Sequence, residues 1–164
     1  MSLTQISSGQ DFHLESAGGR FGFYPFGAAS HFYEADVFAN FDLPWRWDLG
    51  KKWSLQSRVD GSLWWLGEAD ANAVIGSIGP GLLFARENLP ISFEAGASPT
   101  VISISHFRDK DLGDLFQFAS HLGVNFDVLD RVRLSFRYQH MSNAGLNPHN
   151  PGLNMFMFGV GYLF

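Results

Sequence analysis

An eight-stranded antiparallel up-and-down transmembrane β-barrel is the fold this sequence predicts, and three observations predict it. Apolar and non-apolar residues alternate with a period of two along almost the whole chain, and no stretch repeats at the helical period. The non-apolar faces carry small residues and isolated charges of both signs: Arg58, Arg133 and Arg137 with Asp36, Asp42, Asp60 and Glu94. A narrow lumen needs side chains that are small or mutually neutralising, whereas a solvated sheet face more often carries Lys, Glu and Thr. Finally, Lys51, Lys52 and Lys110 all fall in expected turns, although soluble sheets rely on lysine along their faces and edges.

The strands follow in order. The first, near 12–24, rests on alternation alone. The second, near 31–47, sets Val37, Phe41, Trp45 and Trp47 against Asp36, Asn40, Asp42 and Arg46. The third, near 53–66, carries Arg58 and Asp60. In the fourth, near 74–85, Gly76, Gly79 and Gly81 are lumen or turn positions; no helix follows them, so they form no phosphate loop. The fifth, near 91–104, brings Glu94. The sixth, near 115–126, is the clearest: Phe116, Phe118, Leu122, Val124 and Phe126 face away from Gln117, Ala119, His121, Gly123 and Asn125. The seventh, near 131–142, opposes Val132, Leu134, Phe136 and Tyr138 to Arg131, Arg133, Arg137 and Gln139. The eighth, near 154–164, opposes Phe156, Phe158, Val160, Tyr162 and Phe164 to Met155, Met157, Gly159, Gly161 and Leu163.

The links near 48–52, 86–90 and 127–130 are tight and those near 105–114 and 143–153 are long. Outer-membrane barrels show that asymmetry, with short periplasmic turns and longer external loops. Trp45, Trp47, Trp53, Trp64 and Trp65 would lie near strand ends as an interfacial aromatic girdle. Strands of about ten residues plus turns use up 164 residues, so 1–164 is expected to be a single barrel domain. An eight-stranded barrel is filled by its own side chains, which disfavours transport. The competing architecture is a soluble, lipocalin-like barrel with its aromatic rings inside.

Composition narrows the function. Only 16% of residues are charged, against roughly 25% in ordinary soluble domains, while 46% are hydrophobic. A net charge of -5 offers no basic patch, so nucleic acid is not an expected partner. The lack of cysteine excludes a disulfide scaffold, thiol chemistry and a zinc–thiolate site. No run reaches the length of a membrane-spanning helix. The start, Met1-Ser2-Leu3-Thr4-Gln5, has neither a basic nor an apolar leader region, so an exported chain with this start would be a processed form. The histidines 13, 31, 106, 121 and 149 show no ligand spacing, and no metal or cofactor is expected.

The alternation breaks at the end of the seventh segment. His140 and Ser142 continue the parity of Leu134, Phe136 and Tyr138, so they project onto the lipid-facing side. Residues i and i+2 of a strand lie roughly 6.6 Å apart, within reach for an imidazole and a hydroxyl. A histidine beside a serine is the minimum apparatus for a serine nucleophile, because the imidazole takes the hydroxyl proton during attack. Asn154 shares the outward parity of Phe156 and Phe158, and a hairpin through 143–153 would bring it close to His140. Polar groups on a lipid-facing surface are costly, so three at one membrane edge point to function.

The string His140-Met141-Ser142-Asn143-Ala144-Gly145-Leu146, followed by Asn150-Pro151-Gly152, resembles the signature of the lipid A 3-O-deacylases of Gram-negative outer membranes, the PagL type. Phe93-Glu94-Ala95-Gly96, Asp111-Leu112-Gly113 and the run from Phe116 to Phe126 look like middle strands of that family. The resemblance covers about 45–164. It implies an eight-stranded outer-membrane barrel with an external active site that removes the ester-linked 3-hydroxyacyl chain at position 3 of lipid A. It implies Ser142 as nucleophile, His140 as general base, and Asn143 with the backbone around Ala144 and Gly145 as oxyanion donors. Lipopolysaccharide is then the partner, and pairing of two copies into a homodimer is compatible with this reading without being fixed by it. Asp109, Asp111 and Asp114 belong to a long loop that is read as solvated in preference to a Ca²⁺ site bridging lipopolysaccharide phosphates. Arg108 and Lys110 of the same loop are the alternative direct contacts to those phosphates. One position departs: the family pattern has glutamate where this chain has Asn154. Asparagine can accept a hydrogen bond from an imidazole N–H, but it cannot stabilise imidazolium by charge. The rival function is a non-enzymatic small outer-membrane barrel for anchoring or surface interaction.

Overall fold

The computed structural model describes residues 12–26 and 31–164; the opening Met1–Gln5 lies outside them. Eight strands follow one another: β1 (His13–Phe23), β2 (Phe32–Gly50), β3 (Trp53–Glu68), β4 (Ala71–Arg86), β5 (Ile91–Ile102), β6 (Phe116–Leu129), β7 (Val132–Ser142) and β8 (Leu153–Leu163). Each pairs antiparallel with the next, and β8 pairs with β1 from Ser16–Leu163 to Phe23–Phe156, closing the barrel. No described residue is helical. Closure leaves no free edge, as hydrocarbon requires, because lipid offers no partner to a backbone N–H or C=O.

The two faces follow the alternation and invert the ordinary rule of burial. Phe116, Phe118, Leu122 and Phe126 are exposed on the outer wall, while Gln117, His121 and Asn125 are buried inside. Arg58 is 0% exposed and Leu122 is 66% exposed, a reversal that suits only a wall facing lipid. Where the register slips, the parity is reset locally. Between Leu14 and Ser16 a bulge turns Glu15 inward, where it meets Arg133. A second irregularity sets Leu43, Pro44 and Trp45 of β2 against Ser57 of β3, whose hydroxyl donates to the Trp45 carbonyl at 2.7 Å.

The lumen has two levels. Its middle is ionic: Arg20 Nε lies 2.9 Å from Asp36, Arg58 bridges Asp60 and Glu94 at 2.7 Å each, and Arg137 meets Glu94 at 2.6 Å. His121 belongs to this network, 3.5 Å from Asp60. The end that carries the long loops is apolar, filled by Phe32, Leu66, Ile75, Ile102, Leu112 and Met155.

Trp64 corrects the expected girdle. It is 4% exposed and packs inside this apolar plug, whereas Trp45 and Trp65 are exposed on the wall. Adjacent residues of a strand point to opposite faces, so Trp64 and Trp65 cannot both meet lipid. The link lengths also need one correction. The turn sides are short, and β2 runs on to leave only Lys51 and Lys52, both at positive φ, as its turn. At the loop end, 103–115 and 143–152 are long, but β3 and β4 are joined there by Ala69 and Asp70 alone.

Candidate active site

The polar cluster sits at the loop end of the β7–β8 hairpin. His140 and Ser142 are the outward residues of the last turn-free stretch of β7, and His140 stands directly opposite Asn154 in the ladder. The register therefore brings His140 and Asn154 together, as the expected hairpin required, and leaves Ser142 one strand repeat away without a hydrogen bond to either. His140 Nδ1 lies 2.7 Å from Asn154 Oδ1. An amide oxygen only accepts, so this contact places the ring proton on Nδ1 and leaves the Nε2 lone pair free. Ser142 Oγ makes no hydrogen bond among the described residues, and its Cα is one strand repeat from that of His140.

Beyond Ser142 the chain turns sharply. Ala144 and Gly145 both take positive φ, 53° and 81°, and the Leu146 N–H closes the turn onto the Asn143 carbonyl at 3.0 Å. Asn143, fully buried, organises the loop with every group it has. Its side-chain Nδ2 donates to the His149 carbonyl at 2.9 Å, its Oδ1 accepts the Gly145 N–H at 2.9 Å, and its backbone N–H donates to Asn150 Oδ1 at 3.1 Å. The Gly145 N–H is thus engaged within the turn, while the Ala144 N–H has no partner among the described residues. The 103–115 loop braces this arrangement. Asn147 Nδ2 donates to the Gly113 carbonyl at 3.0 Å, and a Cβ at Gly113 (φ 84°) would run into the His149 carbonyl. The acids of that loop serve its own shape: Asp111 accepts the Gly113 N–H, and Asp114 accepts the N–H groups of Leu115 and Phe116.

Sequence reasoning missed Ser120 and quoted Gly152 and Asn150 only as motif residues without a role. Ser120 on β6 is the cross-strand neighbour of His140 and faces the same way. Its signal was present, a polar residue interrupting the outward series Phe116, Phe118, Leu122, but its partner could not be named without register. Gly152, at φ 61°, lies against the imidazole, where a Cβ would come 2.9 Å from His140 Cε1. Asn150 holds the backbone of Asn143 from across the loop. On the β8 side the histidine is flanked by interlocked rings, Tyr138 with Phe156 at 5.5 Å and Phe156 with Phe136 at 5.6 Å.

Among solved structures, a crystal structure of the outer membrane enzyme PagL superimposes with a TM-score of 0.70 at 20% identity, covering 92% of this chain and 99% of that one. Designed transmembrane β-barrels (TM-score 0.55, 12% identity, 94% and 98% coverage) and Neisserial surface protein A (0.51, 16%, 92% and 96%) share the architecture. These likenesses establish the fold. In sequence, the chain is 32% identical over 153 residues to the lipid A deacylase PagL of Bordetella bronchiseptica strain RB50, covering 85% of this chain and 80% of that protein. The family model described as lipid A 3-O-deacylase (PagL) matches residues 33–163, which includes every residue of the cluster just described. The chain belongs to the lipid A 3-O-deacylase family.

Proposed function

We propose that this protein is an outer-membrane esterase that hydrolyses the 3-O-linked 3-hydroxyacyl chain of lipid A, with Ser142 as nucleophile and His140 as general base. The observation that carries the reading is the 2.7 Å contact between His140 Nδ1 and Asn154 Oδ1, which leaves Nε2 as an acceptor on the same outward face as a serine hydroxyl that has no partner among the described residues. The bacterial outer membrane is the setting in which a lipid-facing site meets its substrate without leaving the bilayer.

His140 Nε2 takes the Ser142 proton as Oγ attacks the ester carbonyl. The negative charge that develops on the carbonyl oxygen is met by the Ala144 N–H, the one donor of the Asn143–Gly145 turn that has no partner among the described residues. The Asn143 side chain keeps that turn in shape. Collapse of the tetrahedral intermediate breaks the bond to the sugar oxygen, which leaves with the proton from His140. Water, deprotonated by the same imidazole, then releases the chain as a free 3-hydroxy fatty acid and restores Ser142. Asn154 orients the ring throughout. No metal or cofactor enters these steps.

The test is mass spectrometry of lipid A from a Gram-negative host that exports this chain, beside a host exporting Ser142→Ala. Loss of one 3-hydroxyacyl mass with the wild type and none with the variant is the expected result. Unchanged lipid A in the presence of folded, membrane-inserted wild-type protein would overturn the assignment in favour of a non-enzymatic barrel.

A further inference from the structure

The turn that carries the Ala144 N–H has no ladder to hold it. β7 ends at Ser142 and β8 begins at Leu153, so the backbone between them is fixed by side chains and by its neighbours. Leu146, Pro148 and His149 are exposed, yet Asn147 among them is half-buried. Its amide is used at both ends. Nδ2 donates to the Gly113 carbonyl at 3.0 Å, and Oδ1 accepts the His149 N–H at 3.0 Å. The His149 carbonyl in turn accepts from Asn143 Nδ2 at 2.9 Å, and Asn143 Oδ1 accepts the Gly145 N–H at 2.9 Å. Four hydrogen bonds through two asparagine amides thus run from the 103–115 loop to the residue that follows Ala144.

The far end of this relay is anchored in the barrel mouth. Phe107 and Leu112 of the 103–115 loop are buried in the apolar plug, with the Phe107 ring 5.1 Å from that of Phe32. Gln117, near the start of β6, donates to the Leu112 and Asp114 carbonyls at 3.2 and 2.6 Å. Gly113 is the point of contact. Its N–H is held by Asp111 Oδ1 at 2.8 Å, its carbonyl takes the Asn147 bond, and a Cβ there would run into the His149 carbonyl. The relay therefore starts from a loop with a buried apolar foot and ends at an exposed turn. An oxyanion donor must stay within hydrogen-bond reach of one point, and a shift of about 1 Å can cost about a hundredfold in rate.

Resting on the esterase reading, we infer that Asn147 is a positioning residue: it ties the Asn143–Gly145 turn to the 103–115 loop and so holds the Ala144 N–H toward the ester carbonyl. It acts through Asn143 and does no chemistry itself. The Nδ2 donor makes the tie to Gly113, and the Oδ1 acceptor passes it on to His149. Aspartate at this position keeps the acceptor and loses the donor, whereas alanine loses both. The two long loops, far apart in sequence, then work as one support for the site.

Purified protein in detergent micelles would be assayed on p-nitrophenyl octanoate and titrated with n-octylboronic acid, whose tetrahedral adduct with a serine carries an oxygen where the oxyanion forms. Asn147→Ala and Asn147→Asp should each lower kcat by about tenfold to a hundredfold, with KM close to that of the wild type, and raise the boronate inhibition constant by a similar factor. An inhibition constant does not depend on how many molecules are folded. A kcat that fell with unchanged boronate affinity would therefore make Asn147 merely structural and overturn the proposal, as would wild-type rates in both variants. Wild-type behaviour of Asn147→Asp alone would overturn the tie to Gly113. Ser142→Ala separates the two claims: it should lose both ester hydrolysis and boronate inhibition. Retained hydrolysis in that variant, or a wild type that hydrolyses no ester or resists the boronate, overturns the esterase reading and the positioning role with it.

Discussion

The lumen and the outer wall of this barrel use polar side chains in opposite ways. In the lumen, Arg58, Arg137, Asp60 and Glu94 are almost wholly buried and held as ion pairs at 2.6–2.7 Å, with Asn125 donating to Glu94 at 3.2 Å. On the wall, polar residues are few, and at the rim of β7 one of them, Ser142, has a hydroxyl with no partner among the described residues. Buried charge inside the barrel is committed to its neighbours and cannot change partner cheaply. A hydroxyl left uncommitted on a costly surface is available for reaction. On the proposed function, the chemistry of this filled barrel sits where polar groups are scarce, and the dense charge cluster is architecture.

The sharpest way to break that comparison is to exchange the effects. Ser142→Ala should lower lipid A deacylation by at least about a thousandfold, since loss of a serine nucleophile removes the covalent route and leaves only binding and oxyanion terms. Its urea midpoint in detergent should stay that of the wild type. A midpoint that fell with activity would make Ser142 structural and erase the distinction between the two regions.

Glu94→Ala is the mirror experiment. It removes the shared partner of Arg58 and Arg137 and leaves two guanidinium groups buried without it, a change that costs about 3–5 kcal/mol. Urea unfolding and the heat-dependent shift in gel mobility should both report the loss. The fraction that remains folded should hydrolyse ester at close to the wild-type rate, because Glu94 faces the lumen and Ser142 the lipid. A specific loss of turnover with unchanged stability would move the ionic cluster into the mechanism.

A smaller effect is expected at Asn154, which belongs to the wall yet is fixed as the lumenal groups are. Asn154→Ala removes the oxygen that holds His140 Nδ1, and turnover should fall by about tenfold to a hundredfold, less than the roughly 10²–10⁴-fold that an acid–base group itself supplies, because Asn154 only orients that group. Asn154→Glu restores the carboxylate of the family pattern and adds charge stabilisation to the imidazolium, so kcat should rise severalfold with KM little changed. Equal rates in the alanine, asparagine and glutamate forms would show that His140 needs no orienting partner.

Much of this contrast was legible in the sequence because alternation is a local signal. The parity of Phe116 to Phe126 and of Val132 to Tyr138 assigned faces without any knowledge of neighbours, and it placed His140, Ser142 and Asn154 outward. What escaped depended on register or on contacts distant in sequence. Ser120 became a neighbour of His140 only once β6 and β7 were aligned. The apolar plug went unread because Met141, Met155 and Met157 share the parity of small lumenal residues, and nothing local distinguishes a filler from a spacer. The expected girdle of five tryptophans failed at Trp64 for a reason that was present in the sequence, since two adjacent rings must take opposite faces. The role of Asn143 was hidden in bonds to His149, Asn150 and Gly145, which only the folded loop defines.

The smallest predicted effect tests how tightly the rim is built. Gly152 occupies φ 61°, and a Cβ there would stand 2.9 Å from His140 Cε1. Gly152→Ala therefore combines a left-handed backbone penalty of about 1–2 kcal/mol with pressure on the edge of the imidazole. The ring can yield only by turning, because Nδ1 is tied to Asn154 and the β8 side is packed with aromatic rings. Turning it disturbs the Nδ1 contact with Asn154 that orients the ring, so kcat should fall severalfold while KM stays close to that of the wild type. An unchanged kcat in Gly152→Ala would mean that the rim takes up the added methyl group without moving the imidazole.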